Sequence, residues 1–320
     1  MRVVTVDWTR WRDSAARVKL LVLATCRKAS NWLISMRLLL YLLNKLIETI
    51  YIIRLTNRKS CCKLKGTGKN TTGGILMDWK AWQQRWDRQQ ERYLPYREQS
   101  FEAMVQCVAE VIRGRGRVLD LACGCGSVTE RLLKKLPKLQ VVGVDIDPVL
   151  LKIARGAFEG DERVRWMERD LCDPDWSADL EPESFDAVVT ATALHWLEES
   201  VLLRVYRDVA RLLRPGGMFV NADHMPLENR VLFDAGRRLY GGWFEASADR
   251  DDWEGWWEAI SEVKGMEEAL AERERRFGRR RSHEFMPPAS WHMERLSSAG
   301  FSSAEIVWRS FNEAVLVALK

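Results

Sequence analysis

From residue 97 onward the chain alternates short apolar runs with segments of helical periodicity. The apolar runs are rich in β-branched residues and predict strands buried on both faces, at residues 117–121, 139–144, 164–168, 185–190 and 218–221. Apolar spacing of i, i+3 and i+4 predicts helices at residues 128–136, 148–157 and 201–213. This alternation is typical of an α/β sheet with helices on both faces.

Residues that begin and end helices refine these limits. Asp147 is expected to cap the second of these helices, with Pro148 at its first position. The third helix is expected to end at Arg214, because the proline that follows cannot continue it. The chain then finishes with a predicted helix at 288–299 and with strand-like runs at 302–310 and 313–320, which predict an antiparallel hairpin that completes the sheet.

A glycine-rich turn, VLDLACGCGSVTE at residues 118–130, joins the first predicted strand to the helix after it. This order places backbone N–H groups and a helix N-terminus at the carboxyl edge of the sheet, where ligands of open α/β folds bind. Asp145 closes the second strand 19 residues after Gly126, and an acid there can accept both hydroxyls of a ribose. A dinucleotide fold would have a third glycine where Thr129 stands, which disfavours a nicotinamide cofactor.

Five motifs in order resemble those of the class I S-adenosylmethionine-dependent methyltransferases, particularly the group with small-molecule acceptors. The motifs are VLDLACGCG, VVGVDIDPVLLKIAR, VRWMERDL, FDAVVTATALHWL and LLRPGGMFV, and with their surroundings they cover residues 97–222. The resemblance implies a Rossmann-like seven-stranded methyltransferase sheet with S-adenosylmethionine as cofactor. It also implies methylation of an oxygen, nitrogen or carbon of a small molecule. An NAD(P)-dependent oxidoreductase and a non-catalytic cofactor-binding module are the alternatives.

The resemblance also implies which residues contact the cofactor. Asp120, Gly124 and Gly126 would shape the pocket, and Asp145 would bind the ribose hydroxyls. The other implied contacts are Ile146 packed on the adenine, Asp170 with Leu171 at the adenine amino group, and Thr190 with Ala191 at the sulfonium. Ala122 stands where glycine is commoner, a departure that costs little if the backbone angle there is ordinary.

Methyl transfer is an in-line displacement, so the main task of the protein is to hold donor and acceptor together. A general base is needed only if the acceptor arrives protonated. His195, after the fourth strand, is the candidate catalytic residue, and His224 follows the fifth strand. The alternative is that His195 and Trp196 only pack over the cofactor.

Two further segments are expected to cover the site. Trp79, Trp82, Trp86 and Tyr93 form a stripe along one face of a helix before the first strand, a pattern typical of core contacts. The resemblance implies that this region covers the cofactor and that Tyr93, Tyr96 or Arg97 reaches the methionine carboxylate or the sulfonium. Residues 225–286 are rich in tryptophan and acid and predict a helical lid, in which the arginines at 279–281 form a solvated helix end.

The balance of basic and acidic residues changes near residue 77. Residues 1–76 hold 15 Lys and Arg against 3 Asp and Glu, a balance of +12, and the remainder has 35 against 42, a balance of −7. The acidic main part, 77–320, argues against a nucleic-acid partner. Arg37, Lys45 and Glu48 interrupt the apolar run at 32–53, so residues 1–76 form either a membrane-interface extension or an upstream segment produced by a mis-assigned start.

The cysteines do not predict a metal or disulfide framework. Seven cysteines without regular spacing or a recognisable signal peptide indicate reduced thiols and a cytoplasmic location. Cys123 and Cys125 have no second ligand pair at a spacing suited to zinc, so no metal site is expected. They are interpreted as small side chains in a cofactor loop. Neither the acceptor nor the oligomeric state follows from the sequence.

Overall fold

The computed structural model describes residues 77–247, 252–278 and 284–320, and Ile75–Lys320 form one compact unit. The predicted extension at 1–76 and the arginine run at 279–281 lie outside the described residues. Among the helices described, none combines the length and the hydropathy needed to cross a bilayer.

Seven strands form one sheet in the part of the chain that the structure describes. They are β1 (Gly116–Leu121), β2 (Leu139–Asp145), β3 (Val164–Glu168), β4 (Phe185–Ala191), β5 (Leu213–His224), β6 (Ser303–Ser310) and β7 (Glu313–Leu319). Their spatial order is β3-β2-β1-β4-β5-β7-β6. The first five are parallel, and β7 runs antiparallel to both neighbours. The predicted seven-stranded Rossmann-like sheet and its final antiparallel hairpin are confirmed.

Helices join and cover these strands. They are α1 (Trp79–Tyr93), α2 (Arg97–Val111), α3 (Ser127–Lys135), α4 (Pro148–Ala157), α5 (Glu199–Leu212), α6 (Arg230–Ala246), α7 (Trp253–Ser261), α8 (Glu267–Phe277) and α9 (Ala289–Ser298). Asp147 caps α4 by accepting hydrogen bonds from the backbone N–H groups of Val149 and Leu150, as its position before Pro148 predicted. Helices α6, α7 and α8 lie in the stretch for which a helical lid was predicted.

Apolar side chains of both sheet faces form the core. One face packs against α2 and α3 through residues such as Met104 and Leu132, and the other packs against α5 and α9 through Val205 and Leu296. These four side chains are completely buried. Because each contributes about 1.5–3 kcal/mol on burial, the two-sided core fixes the strand ends on which the site is built.

One predicted boundary is wrong. Helix α5 ends at Leu212 rather than at Arg214, and Leu213 has the extended angles φ −74° and ψ 137°. The proline ring at position 215 disfavours helical geometry at Arg214, and Leu213 pairs with Phe185 of β4 instead. Strand β5 also continues past the predicted end at Asn221, because β7 supplies an antiparallel partner as far as His224.

Candidate active site

Asp145 joins the glycine turn to the turn after β2. Its carboxylate accepts one hydrogen bond from the backbone N–H of Gly124 at 2.8 Å and another from that of Asp147 at 2.7 Å. Burial raises the pKa of Asp145 to about 6, even though both backbone N–H groups favour the charged form. The residue expected to bind ribose therefore also fixes the loops on either side of it.

The backbone of the glycine turn takes left-handed angles at three positions. Gly124 has φ +54° and Gly126 has φ +81°, and a side chain at Gly126 would come within 2.7 Å of the Trp166 ring. Ala122 has φ +52°. The angle at Ala122 is therefore not ordinary, so the condition under which alanine would cost little is not met, and a left-handed alanine costs roughly 1–2 kcal/mol.

Ala122→Gly is therefore expected to stabilise the fold by up to about 1 kcal/mol. Glycine removes the strain but has about 0.4–1 kcal/mol more conformational entropy to lose from the unfolded chain. Urea unfolding measures the difference. Ala271→Gly, at an exposed position inside α8, is the control and should destabilise by roughly 1 kcal/mol. Equal destabilisation by both substitutions would contradict the assigned strain.

Asp120 lies beneath the same turn and ties β1 to α3. Its carboxylate accepts a hydrogen bond of 2.6 Å from the Thr129 hydroxyl and is 1% exposed. Burial raises the pKa of Asp120 to about 7, against the opposing effect of that hydroxyl. Asp120 thus shapes the loop from below, and Thr129 fills the position at which a dinucleotide fold has its third glycine.

Helix α8, in the stretch where a lid was predicted, contacts the turns expected to bind ribose and adenine. Arg273 of α8 donates to the Asp147 carboxylate at 2.7 Å, and Arg276 donates to the carbonyl of half-buried Ile146 at 2.8 Å and also pairs with Glu168. Asp170 accepts from the backbone N–H of Cys172 at 2.9 Å, and Leu171 is buried in the core. Ile146, Asp170 and Leu171 therefore lie at the ends of β2 and β3, as expected.

Tryptophans pack α7 against α1 beside the glycine turn. The predicted stripe on α1 packs against α7, with Trp86 and Trp256 rings centred 4.9 Å apart and Trp82 and Trp256 rings 5.8 Å apart. Cys125 is completely buried in this cluster, and its carbonyl accepts a hydrogen bond from the Gln83 side chain at 2.8 Å. Burial raises the pKa of the Cys125 thiol well above its ordinary value, so it packs as an apolar group.

Arg97 lies next to the N-terminus of α3, but its charge is paired. Its guanidinium donates to Asp87 at 2.9 Å, and Asp87 also accepts from the Ser127 hydroxyl at 2.6 Å and from Arg131 at 3.1 Å. The Arg97 Nε is buried without a partner. Tyr96 lines the same cavity as Arg97, whereas the Tyr93 hydroxyl accepts from the backbone N–H of Trp253 in the lid.

His195 forms a hydrogen-bonded pair with Asp223 at the ends of β4 and β5. The His195 Nδ1 lies 2.6 Å from Asp223 Oδ1, with exposed fractions of 7% and 3%. Burial would raise the pKa of Asp223, but the adjacent His195 and His224 outweigh it and hold that pKa below its ordinary value. An ionised Asp223 accepts a hydrogen bond from Nδ1–H, and a ring in that tautomer has its lone pair on Nε2.

Backbone N–H groups complete the surroundings of Asp223. Those of Leu194 and His195 donate to Oδ2 at 3.1 and 3.2 Å, and that of His224 donates to Oδ1 at 2.9 Å. The possible ligand atoms of His195, Asp223 and His224 lie within 4.8 Å of one another, a spacing that a metal ion could use. The Asp223 oxygens already accept four hydrogen bonds, so the geometry favours a proton-transfer pair over a metal site.

Two buried polar side chains near this pair have no hydrogen-bond partner. Thr190 on β4 and Asn221 on β5 are register neighbours, 0% and 1% exposed, and neither the Thr190 hydroxyl nor the Asn221 amide is bonded. A cavity of about 20 Å³ near the end of β5 is bordered by Tyr96, Thr192 and Asp223 among others. Buried polar groups without hydrogen bonds at strand ends are positions where a polar ligand can supply the missing bonds.

Sequence reasoning missed Asp223, Asn221 and the arginines of α8. Asp223 precedes His224 at the end of a strand, and the rule that led to Asp145 could have identified it. The α8 contacts had no comparable signal, because Arg273 lies 126 residues from Asp147 and its helix has an ordinary charged pattern.

The chain is similar to several known proteins. Residues 118–217 match the family described as "Methyltransferase domain". Trans-aconitate 2-methyltransferase of Azoarcus sp. (strain BH72) is 32% identical over 134 residues, covering 42% of this chain and 48% of that protein, so the chain spans about half of that relative's length. Carboxy-S-adenosyl-L-methionine synthase of Yersinia enterocolitica is 26% identical over 225 residues, covering 68% and 75%. The solved structure of an O-methyltransferase family protein from Burkholderia thailandensis is 20% identical with a TM-score of 0.46, covering 68% and 55%.

Proposed function

We propose that the chain is a class I S-adenosylmethionine-dependent methyltransferase, as its motifs predict, and that it methylates a small molecule through an oxygen or nitrogen that bears a proton. The observation that carries this proposal is the buried His195–Asp223 pair at the ends of β4 and β5. A carboxylate acceptor needs no base, whereas a hydroxyl or amino group must lose a proton during transfer. A base oriented by an ionised carboxylate serves that second class.

The residues of this chain fit S-adenosylmethionine, which supplies an electrophilic methyl group when bound. The left-handed turn at Gly124 and Gly126 leaves backbone close to the ligand position, and the nearest atom to a side chain added at Gly124 is 3.9 Å away. Asp145 would hold the ribose hydroxyls. The adenine would be held by Ile146, Asp170 and Leu171, and the methionine end by Thr190 and Arg97.

Two residues of this chain can remove the proton that the acceptor loses. Asp223 holds the His195 ring through Nδ1, and His195 Nε2 then accepts the proton of the acceptor as the new bond forms. Asp223 stabilises the resulting imidazolium without taking the proton itself. The neighbouring cavity holds about one water molecule, so we infer that the segment with Tyr96, which borders it, moves when an acceptor enters.

The alternatives fit these residues less well. The Thr129 hydroxyl donates to Asp120 at the position where a nicotinamide-binding loop has a glycine. A non-catalytic module has no need for a buried His195–Asp223 pair. We further propose a cytoplasmic enzyme without a nucleic-acid partner, on the acidic balance of residues 77–320. Membrane contact through residues 1–76 stays a prediction outside the described residues.

Asp145→Asn is expected to weaken S-adenosylmethionine binding by about 10- to 100-fold, because a charge-assisted hydrogen bond contributes about 1.5–3 kcal/mol. Titration calorimetry measures the dissociation constant. The ionised carboxylate is the form that binds, and its pKa is about 6 in the free protein. Wild-type affinity should therefore fall about tenfold for each pH unit below 6, and the variant should lose this dependence.

Asp175→Asn, at an exposed position in the turn after β3, is the matched control and should bind like the wild type. Absence of binding by the wild-type chain would overturn the proposed function. Tighter binding of NAD(P)H than of S-adenosylmethionine would support the oxidoreductase instead. Cofactor binding without turnover over a broad panel of phenols, alcohols and amines would favour the non-catalytic module.

A further inference from the structure

A second, half-buried pair, His224 with Glu313, adjoins the His195–Asp223 pair. His224 Nδ1 lies 2.7 Å from Glu313 Oε1, and the two residues face each other in the register of β5 and β7. The exposed fractions of their side chains are 30% and 15%. The rings of His224 and His195 are centred 4.6 Å apart at an interplanar angle of 63°.

The groups around His224 favour its charged form. Burial would lower its pKa, but the hydrogen bond that His224 donates to Glu313 and the charges of Glu313, Asp223 and Glu284 outweigh burial and raise the pKa to about 9. The nearby Arg309 guanidinium donates at 2.9 Å to two backbone carbonyls, those of Met225 and Phe311. Tyr240 of α6 donates its hydroxyl to the Ser310 carbonyl.

The summed charge of the two pairs affects whether His195 carries a proton. With Glu313 and Asp223 ionised and His224 protonated, the four groups carry −1 while His195 is neutral. They reach zero when His195 accepts a proton. Without the charge on His224 they would carry −2, and no positive charge next to His195 would disfavour a proton on its ring.

We propose that His224, held as a cation by Glu313, is a positioning residue that keeps His195 neutral and able to accept a proton. This inference rests on the proposed role of His195, but its physical content concerns only residues of this chain. A like charge within about 4–6 Å shifts a titration by roughly one unit or more. The two carboxylates therefore act on different rings. Asp223 orients the His195 ring, and Glu313 maintains the positive charge on His224 that disfavours a proton on His195.

Imidazole NMR of the full chain labelled with ¹⁵N at histidine tests the proposal without an acceptor. The chain has four histidines, so assignment by single substitutions is practical. In the wild type we expect His224 to be protonated and His195 neutral at pH 7.5. In His224→Gln the midpoint of the His195 titration should rise by about one pH unit or more. Glu313→Gln should lower the His224 midpoint and raise that of His195.

His224→Lys separates charge from packing, since it keeps a cation without the ring and should return His195 toward its wild-type midpoint. Glu305→Gln, which removes an exposed carboxylate of β6, is the control and should move neither ring. A neutral His224 in the wild type, or an unmoved His195 in His224→Gln, would overturn the proposal. Calorimetry with S-adenosylmethionine on the same samples verifies the fold and reports separately on the proposed function.

Discussion

Replacing His195 by glutamine is expected to lower kcat by a factor of about 10² to 10⁴, the usual contribution of a positioned general base. The dissociation constant for S-adenosylmethionine should stay unchanged, because His195 lies at the ends of β4 and β5 and not on the turns that hold Asp145. Glutamine keeps a donor for Asp223 but cannot accept a proton at neutral pH. Initial rates with a phenol or amine acceptor found by panel screening, together with calorimetry, measure both quantities.

The Asp223→Asn variant distinguishes a base from a packing element. An amide at position 223 no longer stabilises the His195 imidazolium, so kcat should fall although the ring stays in place. If His195 only packed over the cofactor, His195→Gln would weaken cofactor binding and leave kcat at saturation nearly unchanged. That result would remove the base from the mechanism and restore carboxylates and carbon nucleophiles as acceptors.

Gly124→Val is expected to weaken S-adenosylmethionine binding by more than about 100-fold. A β-branched residue at φ +54° is a genuine backbone outlier, so the turn must change shape, and the added methyl groups fill the space in front of the loop. The backbone N–H of Gly124 would also lose its hydrogen bond to Asp145. Calorimetry gives the affinity, and circular dichroism verifies the fold.

Two controls isolate the role of the loop in that experiment. Gly160→Val places the same side chain at φ +80° in open space after α4, so it carries the backbone strain without touching the site. Replacing Cys123 and Cys125 together by alanine should largely retain binding, because their thiols are buried and packed. Equal loss of affinity in Gly160→Val would show that strain alone explains the effect. Loss of binding in the double cysteine variant would show that the thiols matter.

Local patterns were sufficient for most of the fold. Strand β3 and helix α4 have the limits that apolar periodicity and the Asp147–Pro148 cap predicted, because both depend on neighbouring residues. The end of α5 was missed because Leu213 pairs with Phe185 of β4. The length of β5 was missed because its pairing with β7 joins segments about ninety residues apart in the chain. The strain at Ala122 was also missed, since the sign of the φ angle there depends on how β1, the turn and α3 pack together.

The candidate site shows the same difference between local and long-range signals. Asp120, Asp145 and the glycines were found from sequence because a strand, a turn and a helix in succession determine where their backbone lies. The pairing of His195 with Asp223, the second pair of His224 with Glu313 and the α8 arginines at the adenine end join residues from 28 to 130 positions apart. The sequence by itself determined the fold class and the cofactor. Only the tertiary structure decided which charges adjoin the base, because long-range packing brings those groups together.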